Sequence, residues 1–411
     1  MIVNKKISLY SKVSKYIDVK TLIITLLLVL IGLICLYSAV INNSPDKFNM
    51  QVIWAVVGFF AMLIISRMPL NFIKSATYIF FAIIAILLAG LFIFGTEMYG
   101  TIGWYTFGSF SFQPAEFSKI ALIIVVARFF STKGNSVANI IDVGKIVFIA
   151  GIPFMLIFLQ PDVGTALTLF ILLLAMLFWA GADPYYGVLM AAILIMFIAS
   201  LMSLESVLII GSIIAVGMLF FKKKIHIYVI SMLIVIAIPL LKDTIYNNLP
   251  EHQQQRISVF IEPKKDVQNI GYNLNQSKLA VGSGGITGKG YMQGNLNQFR
   301  YIPKHYNDFI YSVPAEEFGF IGSILILFLL VGLSYRGINV AFQSKDIFAS
   351  LIAFGSAIIM LFHTFYNVGM VIGVLPVMGI PLPFFSQGGT FLLSNFIYVG
   401  LIMNVNRNNN L

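Results

Sequence analysis

The sequence predicts an all-α polytopic membrane protein, and three observations carry that prediction. Of its 411 residues, 59% are hydrophobic and only 10% are charged, with a mean hydropathy of +0.92, far outside the composition of soluble domains. Apolar stretches of about 16 to 24 residues recur along nearly the whole length, which suits helices rising 1.5 Å per residue through ~30 Å of hydrocarbon. Runs such as 22–36 and 321–330 are apolar on every face, whereas barrel strands would alternate.

Taken in order, Lys5, Lys6, Lys12 and Lys15 precede an apolar run too long for a signal-peptide core and without a small-residue cleavage site, so it reads as a retained first helix. Twelve spans are expected, at roughly 20–41, 50–66, 75–96, 116–131, 145–160, 163–181, 185–202, 206–221, 225–241, 310–333, 347–372 and 390–405. The single cysteine, Cys35, lies in the first of them, so no disulfide framework or cysteine-based metal site can form within the chain. With both termini cytoplasmic, the inner side receives Arg67, Lys74, Arg128, Lys133, Lys145, Lys222 to Lys224, Arg336, Lys345 and Arg407. Short outer loops then carry almost no basic residues, Lys47 being the exception, as the positive-inside rule expects. The long segment 242–309 falls outside, and its Tyr272, Leu274, Val281 and Tyr291 give it apolar material with which to pack against the membrane domain. The chain thus reads as one integral membrane domain over 1–411, and no nucleic-acid partner is expected.

Polar groups stand in three places where a purely structural membrane helix would not want them. Gln113-Pro114-Ala115-Glu116-Phe117-Ser118-Lys119 opens the fourth span, with Glu116 and Lys119 on one helix face. That pattern reads either as a structural ion pair or as a polar notch for a charged lipid headgroup. Gln160-Pro161-Asp162-Val163-Gly164-Thr165 joins two spans, and Asp162 is placed to cap the second. Between Gly379 and Gly389 the chain is too broken by proline and glycine to be a helix, so it should line a cavity. In the long loop, Gly282-Ser283-Gly284-Gly285 and Gly288-Lys289-Gly290 offer backbone amides and a lysine as an anion cradle, a weak signal without a Walker lysine-serine pair.

In this order and spacing the segments resemble the SEDS family (shape, elongation, division and sporulation) from about Gly100 to Asn395. The Gly379 to Phe384 and Gly282 to Gly290 motifs are more similar to its elongation-type member than to its division-type member. The resemblance implies about ten core transmembrane helices, with 206–241 as an added helical hairpin and 242–309 as the extracytoplasmic loop carrying the active site. It implies a multi-pass protein of the bacterial cytoplasmic (inner) membrane. Its activity would be that of a peptidoglycan glycosyltransferase polymerising lipid II, the undecaprenyl-diphosphate disaccharide-pentapeptide, during cell elongation. A diphosphate leaving group needs its charge neutralised rather than its oxygen protonated, so one general base plus cations suffices. By resemblance the base is Asp266, and the substrate-binding residues are Glu116, Lys119, Arg256, Gln276, Ser277, Lys289, Asp308 and Ser386. Lys119, Arg256 and a divalent cation such as Mg2+ would hold the diphosphate. Implied partners are membrane lipid, a class B penicillin-binding protein and other membrane proteins of the elongation complex. The chain departs from the family pattern at Gly103, where an arginine is usual before Trp104, and at Tyr306, where a histidine is usual and His305 is displaced by one. Rival readings are a lipid II flippase, a non-catalytic scaffold and a division-type polymerase.

Overall fold

A computed structural model describes residues 18–41, 44–98, 100–108, 110–247, 251–261, 270–294 and 306–409. Each expected span coincides with a helix. They are α1 (Val19–Val40), α2 (Pro45–Arg67), α3 (Leu70–Phe94), α4 (Pro114–Phe130), α5 (Ile140–Leu159), α6 (Val163–Trp179) and α7 (Pro184–Met202), followed by α8 (Leu204–Leu219) and α9 (Ile225–Asn247). The long loop contributes α10 (Glu251–Ile261) and α11 (Ile270–Ser283), and the chain ends with α12 (Ser312–Glu317), α13 (Gly319–Gln343), α14 (Ile347–Val371) and α15 (Gly389–Asn409). Among the described residues, nine of these are long and apolar enough to cross a membrane; α6 and α8 are apolar but shorter. The twelfth, α4, has 17 residues and carries Glu116, Lys119 and Arg128. The protein is therefore a multi-pass membrane protein.

Burial sorts the helices. All of α4 is buried except Phe117 and Arg128, and 83% of the apolar window of α15 and 72% of that of α14 are buried, against 22% for α2 and α3. The centre of the bundle is thus α4, α14 and α15, and the outer helices turn residues such as Ile64, Ile79, Ile86 and Phe328 toward lipid. Local signals set the ends: Asp162 accepts from the Thr165 amide at 3.0 Å to cap α6, as its position in the sequence predicts. At the start of α1, Asp18 caps Thr21 at 3.2 Å and is held by Arg336 at 3.0 Å.

Two elements differ from expectation. The span placed at 310–333 begins nine residues later, because 312–317 form the short buried helix α12. Gly319, at φ +64°, then turns the chain where a Cβ would lie 2.3 Å from the Gly288 amide nitrogen, so only glycine fits. The connection between α3 and α4, which the expected spans leave unassigned, holds regular structure. It forms a small antiparallel sheet of β1 (Thr96–Met98), β2 (Thr101–Phe107) and β3 (Phe110–Phe112), in that order, with Thr96 opposite Trp104 and Tyr105 opposite Phe112.

The trio α7, α8 and α9 has a core of its own, built from Tyr185, Leu189, Ala192, Met196, Met218 and Val235, apart from the main core. The Tyr185 hydroxyl donates to Ser231 at 2.7 Å, and Lys223 pairs with Asp183 at one end. The segment 206–241 therefore packs with α7 as one satellite.

Candidate active-site cavity

The polar start of α4 is built into the protein centre. Pro114 occupies the first turn, where its missing N–H costs nothing, and the Lys119 ammonium lies 2.8 Å from Glu116 Oε1 with both side chains buried. Glu116 Oε2 accepts from the Ser394 hydroxyl of α15 at 3.1 Å. Lys119 also stands 5.7 Å over the Phe391 ring, on which His363 of α14 stacks at 5.3 Å, while His363 Nδ1 is 3.2 Å from the Pro381 carbonyl oxygen.

The broken segment 379–388 is held as a buried turn by side chains that read its backbone. Gln51 of α2 donates from Nε2 to the Ser386 carbonyl and accepts from the Gly388 amide, both at 3.1 Å. Asn367 Nδ2 donates to the carbonyls of Asp308 and Ile380 at 2.8 Å each, tying the end of the long loop to the turn. The Gln387 amide adds a bond to the Tyr306 carbonyl at 2.9 Å. Helix backbones approach closely: a Cβ at Gly32 would lie 2.2 Å from the Phe384 carbonyl oxygen, and one at Gly164 would lie 2.3 Å from that of Met378. Phe384 sits at φ +65°, a left-handed conformation that costs about 1–2 kcal/mol for a residue with a Cβ, and its ring is fixed edge-on to Phe396 at 5.7 Å. Backbone strain held by surrounding packing is characteristic of functional turns.

Turn, sheet and loop together enclose a cavity of about 770 Å³ at one end of the bundle. One wall is the start of α2, with Lys47 and Trp54, the latter stacked on Phe110 of β3 at 4.9 Å. Another is the sheet, with Thr101, Trp104, Thr106 and Ser111. Glu116, Asp162, Arg256, Asn273, Asp308 and Gly379 complete the ring of polar groups. Arg256 of α10 and Asp308 converge on Gly379, where an added Cβ would lie 3.4 Å from Asp308 Oδ2 and 3.8 Å from Arg256 Nη1.

Burial pushes the Asp308 carboxyl above its ordinary value; Arg256 draws it down in part and Asp162 adds to the rise. Above the ordinary carboxyl value of 3.8, the unfolded chain releases this proton more readily than the fold does, which favours unfolding. Asp308→Asn is therefore expected to raise the thermal unfolding midpoint at neutral pH. That gain should vanish as pH falls below the ordinary carboxyl range, where both proteins carry a neutral group. Unfolding scans in detergent across pH check it; a gain that persists in acid would show a packing effect instead.

Of the residues singled out in the sequence, Glu116, Arg256 and Asp308 line the cavity, and Lys119 lies directly behind Glu116. Ser277 is buried in α11 and donates to the Val371 carbonyl at 3.0 Å, docking α11 on the end of α14. Ser386 accepts from the Leu382 amide at 2.8 Å, closing the turn. Gln276 is half-buried on α11. Lys289 pairs with Glu316 at 2.6 Å, away from the cavity lining. Asp266 and His305 lie outside the described residues.

In the glycine-rich run, backbone carbonyls engage the amides of the second motif. Those of Gly288, Lys289 and Gly290 donate to the carbonyls of Gly284, Glu316 and Glu317 at 2.9, 3.1 and 3.0 Å. Its glycines serve the close approach to α12, where a Cβ at Gly284 would lie 2.1 Å from the Ala315 carbonyl oxygen.

Sequence reasoning missed His363, Gln51 and the Lys47 contact. A lone histidine in the middle of an apolar span, and the one basic residue of the short outer loops, were the available signals. Among the described residues no group of three or more His, Cys, Asp or Glu side chains is placed to hold a metal ion.

Fold and site together define a polytopic helical membrane protein whose bundle opens at one end into a polar cavity of mixed charge. The chain matches the FtsW, RodA and SpoVE family, described as "Cell cycle protein", over residues 19–209 and 185–411, and it belongs to that family, the SEDS family that its motifs resemble. The two matched stretches overlap across α7 and the start of α8. The chain is 29% identical to the peptidoglycan glycosyltransferase RodA of Treponema pallidum, over 95% of this chain and 97% of that protein. It is 32% identical to the stage V sporulation protein E of Bacillus subtilis, over 95% and 97%. Its fold is similar to that of a chain solved for the structural coordination of polymerization and crosslinking by a peptidoglycan synthase complex. There the TM-score is 0.73 at 23% identity, covering 96% of this chain and 98% of that one.

Proposed function

We propose that this chain is a peptidoglycan glycosyltransferase that polymerises lipid II at the outer face of the bacterial inner membrane, in the elongation role of RodA. One observation carries the reading. Arg256 and Asn273, on the helices that precede and follow the segment holding Asp266 in sequence, both line the cavity, which supports a site at this polar chamber. Asn273 is seven residues from Asp266, a reach of at most about 25 Å at ~3.5 Å per residue.

In the reaction, Asp266 takes the proton from the acceptor sugar 4-hydroxyl as that oxygen attacks the anomeric carbon of the donor. The bond from that carbon to the diphosphate oxygen breaks with inversion. The departing diphosphate keeps the electron pair, and Arg256 offsets its charge. In this reading the loop 242–309 is extracytoplasmic and carries the candidate base, and both termini are cytoplasmic. The elongation assignment rests on the Gly282 to Gly290 and Gly379 to Phe384 motifs, with a class B penicillin-binding protein as the crosslinking partner and FtsW-type division as the alternative address.

The test is glycan-strand formation from purified lipid II by the full chain, in detergent and in liposomes, together with its transpeptidase. Polymer supports the reading. Lipid II crossing liposome membranes without polymer would replace it with a flippase.

A further inference from the structure

Lys47 is unexpected on three counts. In the orientation proposed above it is the one basic residue of the short outer loops. It stands in the first turn of α2, the helix end at which the dipole disfavours a cation. It is also half-buried rather than released to solvent: its ammonium lies 4.9 Å over the Tyr306 ring centroid and lines the cavity. None of this helps α2 form, so the charge serves the cavity.

We propose that Lys47, seated on Tyr306, is a second cation subsite of the cavity, holding a phosphate of a polyprenyl-diphosphate substrate that Arg256 engages from another wall. The proposal rests on the glycosyltransferase reading and names how that site takes its lipid anion. A diphosphate carries more negative charge than one guanidinium offsets. Among the described lining residues the cations are Lys47 and Arg256, while Lys119 sits behind the lining and is engaged by Glu116. The same lining holds the carboxylates Asp46, Glu116, Asp162 and Asp308: Asp162 accepts from the amide and hydroxyl of Thr165 at 3.0 and 2.8 Å, Glu116 holds Lys119 and Ser394, and Asp308 faces Arg256.

The two departures from the family pattern both adjoin residues of the cavity lining. At Gly103 of β2 the usual arginine is missing. A Cβ there would find its nearest neighbours only at Gln113 Nε2, 3.8 Å away, and Thr101 Oγ1, 3.9 Å away, and both of those residues line the cavity. A side chain at 103 would therefore emerge beside the cavity, and in this chain that wall lacks its charge. Lys47 supplies one from α2. At position 306 a tyrosine replaces the usual histidine, and its ring face holds an ammonium without neutralising it, leaving the N–H groups free to donate to phosphate oxygens.

The experiment measures binding of farnesyl diphosphate, farnesyl monophosphate and farnesol to the purified full chain in detergent, beside the KM for lipid II in strand formation. Lys47→Met is expected to weaken farnesyl diphosphate binding about tenfold, the loss of one charge-assisted contact. Farnesol binding should be unchanged, and the rise in KM should exceed the fall in kcat. Lys47→Arg should bind as the native chain does, and Gly103→Arg added to Lys47→Met should restore much of the loss. Diphosphate binding by Lys47→Met equal to native, or an equal loss for farnesol, would overturn the subsite. A native chain that polymerises lipid II while Lys47→Met keeps its KM removes the subsite and leaves the enzyme reading standing. A native chain that binds the diphosphate through Lys47 yet makes no strands does the reverse.

Discussion

Asp266→Asn is expected to lower glycan-strand formation from lipid II by a factor of about 10² to 10⁴, the range for losing a positioned general base. Asparagine keeps the size of the side chain and its ability to accept a hydrogen bond, but it cannot take a proton at neutral pH. The diphosphate leaves as an anion, so no acid is needed on that side, and the only proton in transit is that of the acceptor hydroxyl. Because the base acts only as that proton moves, the loss should fall on kcat with KM nearly unchanged. An unchanged unfolding midpoint in detergent separates loss of the base from loss of the fold. Full activity in a well-folded variant would move the base elsewhere, with Asp308 the next carboxylate of the cavity to test.

The helices were legible because lipid imposes a simple rule. A segment in hydrocarbon must satisfy its own backbone and be apolar around its circumference, so length and composition locate it. The breaks at 160–165 and 379–389 were legible for the same reason, since polar or irregular backbone survives there only with protein around it. What escaped lies at the membrane edge, where the rule lapses. β1 to β3 were not foreseen because the segment Thr101 to Phe112 is too short for a span and reads as a connection, and its pairing is pinned to α3, as when the Tyr105 hydroxyl donates to the Leu87 carbonyl at 2.7 Å. The start of α13 was misplaced because Ile310 to Ala315 reads on into the apolar run beyond Gly319, although Pro314, Glu316 and Glu317 break it and the segment is buried in protein. The glycine-rich run shows the limit of motif reading. The same glycines that can cradle an anion can also admit a neighbouring backbone, and only the partners of the amides decide between them. Arg256 and Asp308 were found through the family pattern, whereas Lys47 required the fold to bring α2 and Tyr306 together.

The sequence left Glu116 and Lys119 open between a structural ion pair and a site for the lipid headgroup, and one pair of variants decides. Lys119→Met is expected to destabilise the protein by about 3–5 kcal/mol, because it strands a buried carboxylate whose charge no longer has a partner. The Ser394 hydroxyl at 3.1 Å offers one hydrogen bond but no charge. Adding Glu116→Gln removes that charge and should return most of the stability, since replacing both partners of a buried pair is often nearly neutral. Unfolding midpoints in detergent measure both steps. If the pair is purely structural, the double variant should recover strand formation along with its fold. If Lys119 instead reaches past Glu116 to the diphosphate, the double variant should fold and stay inactive, with weakened binding of farnesyl diphosphate. The geometry favours the first outcome: Lys119 is 1% exposed and already engages Glu116 at 2.8 Å. To meet a phosphate it would have to break that bond at the buried end of the cavity, whereas Lys47 and Arg256 line the chamber itself.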